Sequence, residues 1–170
     1  MQLDQIKAVI TGGVSGLGFA VAKRLVAAGA QVALFDVNAE RAQAALAELG
    51  GAAHFFRTDV TSEENVAANL AAAQVAMGGL NAAISCAGIL GAGRVLGKDG
   101  PMPLKNFAGT VMVNLVGSFN VAKGAASLMQ HNAAGDDGER GVIVNTASIA
   151  AYEGQIGRPP TLRPRAAWSP

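Results

Sequence analysis

Thr11-Gly12-Gly13-Val14-Ser15-Gly16-Leu17-Gly18 follows the apolar run Lys7 to Ile10 and opens an Ala-rich helical stretch, so it reads as strand, tight glycine turn and helix N-terminus. Gly12, Gly16 and Gly18 lack Cβ atoms, which lets the backbone turn sharply and brings the amino end of the helix, with Ser15 and Leu17, against a ligand. Free N–H groups and the positive end of the helix dipole suit a pyrophosphate there. A second apolar strand, Gln31 to Phe35, ends in Asp36, about 20 residues beyond the glycines, where a carboxylate would hydrogen-bond an adenosine ribose. Turn and acid together point to a dinucleotide, and an acid at this position favours NAD over NADP.

Outward from the turn, the period alternates. A helix over Gly16 to Ala28 precedes the second strand. Then come a helix near Ala39 to Leu49, a strand near Ala53 to Thr58 and a helix near Ser62 to Met77. Leu80 to Ser85 reads as a fourth strand, Leu104 to Gln130 as a long helical region and Gly141 to Asn145 as a fifth strand. Nearly unbroken apolar strands belong to parallel sheets buried on both faces. The expected fold is therefore α/β, a doubly wound parallel sheet of Rossmann type. Right-handed crossovers put its ligand crevice at the switch point between the first and fourth strands. Gly91 to Pro103 reads as a solvated Gly/Pro-rich connection. From Arg158 onward the chain is rich in Pro and Arg and suits neither a helix nor a central strand.

With 170 residues, 51% of them hydrophobic and 15% charged, the chain can bury one sizeable core. A net charge of +1 gives no electrostatic reason to expect nucleic acid or a membrane surface as partner. No apolar stretch reaches the ~20 residues a bilayer needs, and Asp4 stands where a signal peptide would be basic and then apolar, which favours the cytoplasm. Cys86 is the single cysteine and cannot form an internal disulfide; it reads as a small buried hydrophobe. No Cys/His cluster has metal-ligand spacing, and His54 and His131 receive no catalytic role.

The glycine turn, Asp36, Asp59-Val60, Cys86-Ala87-Gly88, Asn114 and Ser148 together resemble the short-chain dehydrogenase/reductase family over about residues 5 to 157. Within it, Cys86-Ala87-Gly88-Ile89, the segment Gly141 to Gln155 and the insert Gly91 to Pro103 look most like the type II 3-hydroxyacyl-CoA dehydrogenases. The resemblance implies hydride transfer between NAD and the 3-position of an acyl-CoA in fatty acid metabolism, by an intact form that is homo-oligomeric, a tetramer; the alternatives are another reductase of the family, such as a 3-oxoacyl carrier-protein reductase, and a non-catalytic NAD-binding module. It gives Asp59 and Val60 to the adenine, Cys86 to Gly88 to the cofactor lining and Gln155 to the substrate. It assigns Asn114 to holding a water in a proton relay and Ser148 to bonding the substrate oxygen. On its own, Asp59 could equally cap the helix near Ser62, and Asn114 could be a buried side chain bonded to nearby backbone.

The family's proton donor is a tyrosine thirteen positions beyond the serine, with a lysine four further on; those positions here are Thr161 and Arg165. Threonine is a far weaker acid than a phenol, and arginine keeps its proton. Tyr152 has Ile156 four residues on and is no displaced copy of the motif. The chain as written is expected to be inactive or nearly so. One back-translation of residues 157–169, with a single A inserted after its fourth base, reads Gly-Gln-Ala-Ala-Tyr-Ser-Ala-Ser-Lys-Gly-Gly-Val-Val, which restores both residues at the family's spacing. Residues 1–157 are thus expected to form an incomplete Rossmann domain ending after its fifth strand, and 158–170 a frame-shifted tail. An edge left apolar by that truncation would invite aggregation.

Overall fold

A computed structural model describes residues 1–91, 94–98 and 100–148. The strands β1 (Lys7–Thr11), β2 (Gln31–Asp36), β3 (Ala53–Arg57), β4 (Ala82–Ser85) and β7 (Val142–Asn145) form one five-stranded sheet in the order β3-β2-β1-β4-β7. Every pairing is parallel, with Ala8 opposite both Val32 and Ala82. The helices α1 (Gly16–Ala27), α2 (Ala39–Leu49) and α3 (Glu63–Ala76) are the crossovers that parallel strands require. The doubly wound reading of the sequence holds, and strand order reverses beside β1, where the glycine turn lies.

Alternate residues of the strands supply two cores. Val9, Ala33, Phe35 and Ala83 face Val66, Leu70 and Ala73 of α3 together with Val121 and Ala125 of a later helix. Ala8, Ile10, Val32 and Leu34 face Ala22 of α1 and Ala42 and Ala45 of α2. All three residues between Lys7 and Thr11 are fully buried, which accounts for the uninterrupted apolar run. Helix starts follow local chemistry: Asn38 Oδ1 accepts from Arg41 N at 3.0 Å, and Ser62 Oγ from Asn65 N at 3.2 Å.

Two features depart from the sequence reading. Within the Gly/Pro-rich connection 91–103, β5 (Leu96–Gly97) and β6 (Gly100–Pro101) pair antiparallel, and Met102 N donates to Val95 O at 2.9 Å. Gly100, at φ +116°, allows so short a reversal. The long helical region is also interrupted: α4 (Leu104–Val111) runs into a π-helical stretch, Met112–Gly117, before α5 (Ser118–Met129). β7 closes the described sheet on one side, with Val142, Ile143 and Val144 at 42%, 37% and 47% exposure.

Candidate functional site

At the carboxyl ends of the strands, beside the switch point, lies a cavity of about 460 Å³. Its lining includes Gly12, Ser15, Gly16, Leu17 and Gly18 from the glycine turn, and Asp36 from the end of β2. Asp59 and Val60, which follow β3, and Cys86, Ala87 and Gly88, which follow β4, complete the set that the sequence singled out for a cofactor. Phe35, Val37, Thr58, Ile89 and Val113 also line it; of these only Ile89 belongs to a motif legible in the sequence. The first four come with the same strand ends, and Val113 stands on the π-helical stretch. A larger and more open hollow of about 730 Å³ at the amino ends of the strands, near Lys7 and Asn81, contains none of these residues.

The turn is built by close approach. A Cβ on Gly12, which sits at φ +64°, would stand 3.0 Å from Ala87 N; a Cβ on Gly18 would overlap the Gly12 carbonyl oxygen. Side chains at these positions would fill the space in which the turn meets the β4 exit and the helix meets the turn. That cradle suits the diphosphate of a dinucleotide. No side-chain bond from Ser15 caps α1, so its first turn is open to an anion.

Thr11, one residue before the turn, is 1% exposed and was missed by the sequence reading as a structural contributor. Its Oγ1 accepts from Cys86 N at 3.1 Å and from Ala87 N at 3.0 Å, which ties the glycine turn to the β4 exit. A hydroxyl on the last residue of the strand is the signal that could have found it. Asp36 serves the other side: its Oδ1 accepts from Asn38 N at 3.0 Å and its Oδ2 lies 3.5 Å from Val14 N, so the carboxylate is held against the turn.

Asp59 does not cap α3; Ser62 does. The Asp59 carboxylate accepts from Thr61 Oγ1 at 2.7 Å and Thr61 N at 2.9 Å, and the hydroxyl bond foremost, then the backbone one, holds its pKa below the ordinary carboxylate value. Cys86 is half-buried and borders the cavity, with Thr146 Oγ1 at 3.7 Å from its sulfur, so it is not the enclosed hydrophobe expected. Asn114 is 3% exposed, its Oδ1 accepting from Ile89 N at 2.8 Å and its Nδ2 donating to Ile89 O at 3.0 Å. The backbone bonds of the second reading are present and are made to a residue of the cavity wall, while the relay role rests on the resemblance alone. Ser148 lies three residues beyond β7 and is not among the lining residues. Gln155, Tyr152, Thr161 and Arg165 fall outside the described residues.

A doubly wound sheet with a glycine cradle at its switch point defines a nucleotide-binding protein. The family model for the short chain dehydrogenases matches residues 7–160. The chain belongs to that family, whose oxidoreductases use a nicotinamide cofactor. It is 44% identical over 153 residues to the 3-hydroxyacyl-CoA dehydrogenase type-2 of Rattus norvegicus, covering 89% of this chain and 59% of the relative. To a 2,5-dichloro-2,5-cyclohexadiene-1,4-diol dehydrogenase of Sphingobium indicum it is 40% identical over 146 residues, 86% of this chain and 55% of the relative. The crystal structure of 3-hydroxyacyl-CoA dehydrogenase type-2 from Mycobacterium avium superposes with a TM-score of 0.86 at 39% identity, covering 94% of this chain and 63% of that one. The chain thus spans about three fifths of the length of the type-2 relatives it matches.

Proposed function

We propose that residues 1–157 are the cofactor-holding part of an NAD-dependent dehydrogenase that acts on the 3-hydroxy or 3-oxo carbon of an acyl-CoA. The observation that carries the cofactor half of this reading is convergence: the glycine turn, Asp36, Asp59-Val60 and Cys86-Ala87-Gly88 all border one cavity. NAD, when bound, supplies the hydride acceptor for a carbinol carbon. The chain's part is to bind and orient. In this reading the first turn of α1 faces the pyrophosphate, Asp36 receives the ribose hydroxyls, and Asp59-Val60 flank the adenine. A 2′-phosphate would meet the Asp36 carboxylate as a like charge. The acyl-CoA substrate is supported by likeness to the type-2 enzymes; the assignments of Ser148 and Gln155 to it, and a homotetramer, rest on the resemblance of the sequence motifs alone.

Titrating the chain with NADH and NADPH, read by the fluorescence of the reduced nicotinamide, tests the cofactor. Saturable NADH binding, with NADPH weaker by at least about tenfold, is expected. No saturable binding of NADH overturns the reading.

Thr161 and Arg165 favour a second reading, a non-catalytic NAD-binding module with a genuine tail. We infer instead that 158–170 is a frame-shift product. Resequencing the coding DNA from the codon for Gln155 past that for Pro170 decides between them. An added base that restores tyrosine and lysine codons gives an enzyme expected to oxidise 3-hydroxyacyl-CoA. An unchanged frame leaves a chain expected to bind NADH without turning over.

A further inference from the structure

The α4–α5 helix carries two buried asparagines six residues apart, Asn114 at 3% and Asn120 at 7% exposure. They reach different loops. Asn114 grips the backbone of Ile89 on the wall that follows β4, whereas Asn120 Nδ2 donates to Val60 O at 3.0 Å, in the turn that follows β3. Ile89 and Val60 both line the cavity.

Between the two asparagines stands Gly117. A Cβ there would come 2.5 Å from Val60 Cγ2, so the absence of a side chain is what lets the helix lie against Val60 at hydrogen-bonding range. The other side-chain bonds of this turn are local. Thr61 donates to Asp59, Asn65 accepts from Asp59 N, and Asn69 donates to Thr58. Lys123, one turn beyond Asn120, pairs with Glu63 in the first turn of α3 and holds the same two elements together at the surface. One helix therefore sets the spacing between the two walls of the cavity, and Asn120 is its contact with the far one.

We propose that Asn120 is a positioning residue for the cofactor: through the Val60 carbonyl it fixes the adenine-side wall at a set distance from the Ile89 wall. The inference rests on the dinucleotide reading of the cavity, and it goes further by assigning to Asn120 and Gly117 a selective effect on the adenine end. A residue that merely stabilised the fold would weaken every ligand alike. Asn120→Leu removes the donor at similar volume; Gly117→Ala pushes Val60 away while leaving Asn120 intact.

The test measures binding of NADH, AMP and reduced nicotinamide mononucleotide to the unsubstituted chain and to both variants, with amide hydrogen exchange over residues 60–62. In both variants NADH and AMP are expected to weaken together by about three- to tenfold, the worth of one hydrogen bond. Binding of the mononucleotide is expected to hold, and exchange at 60–62 to quicken. Unchanged NADH and AMP affinities in Asn120→Leu, equal loss for all three ligands, or unaltered exchange at 60–62 would each overturn the inference while leaving the cofactor reading in place. An unsubstituted chain that binds no NADH removes both. If Asn120→Leu does not fold, Gly117→Ala alone decides by the same readings.

Discussion

Gly18 and Asp36 bear on the cavity in different ways, and substitution separates them. Gly18→Ala would drive a methyl into the Gly12 carbonyl oxygen, so the helix must shift; a cost of about 1–3 kcal/mol in urea unfolding and loss of NADH binding are expected. Asp36→Asn keeps the shape and removes the charge, so the ratio of NADPH to NADH affinity is expected to rise with the fold unharmed; an unchanged ratio would remove Asp36 from the ribose. Asn114→Ala strips side-chain partners from both the N–H and the C=O of the half-exposed Ile89, and about 1–3 kcal/mol is expected in the same unfolding measurement. Ser85 offers the opposite sign. Its Oγ is buried without a hydrogen-bond partner among the described residues, so Ser85→Ala is expected to leave the melting temperature unchanged or raise it. Asp59 links stability to pH. Its folded-state pKa is lowered by Thr61, so its contribution is complete above the unfolded carboxylate value of about 4 and is lost as pH falls through the lower folded value. Comparing wild-type and Asp59→Asn denaturation across that acid range should show a gap that closes towards low pH.

Elements were legible to the extent that their burial is periodic. The α2 limits and the parallel strands follow from apolar runs between turn residues, because β1, β2 and β4 are covered on both faces and leave no polar alternation to misread. The candidate site was legible because its residues sit at strand ends, where a change of period marks the place. Thr11 was not, since one buried hydroxyl looks the same in sequence as any strand threonine. The π stretch Met112–Gly117 was also hidden: a single added residue per turn shifts the helical period too little for six positions to reveal it. Nor does hydropathy reveal β5 and β6, whose two-residue strands lie on the surface. At this scale β7 carries its own prediction. With Val142, Ile143 and Val144 exposed, Val144→Lys is expected to raise the concentration at which the chain stays in solution, measured by light scattering; no change would locate self-association elsewhere.

For the whole molecule, the exposed apolar residues of β7 are joined by others on the helical region from α4 to α5, where Leu104, Met112 and Phe119 are 78%, 41% and 55% exposed. A protein consisting of these 170 residues is expected to self-associate, and a monodisperse monomer with one cooperative melting transition would refute that. The sheet order also has a consequence for synthesis. Ala8 of β1 finds one neighbour in Val32 but waits for Ala82 to find the other. At translation rates of about 5–20 residues per second, the ribosome takes about 4–15 s to make that stretch. For those seconds the central strand of the sheet has one open edge, and its backbone N–H and C=O groups on that side go unpaired until β4 emerges.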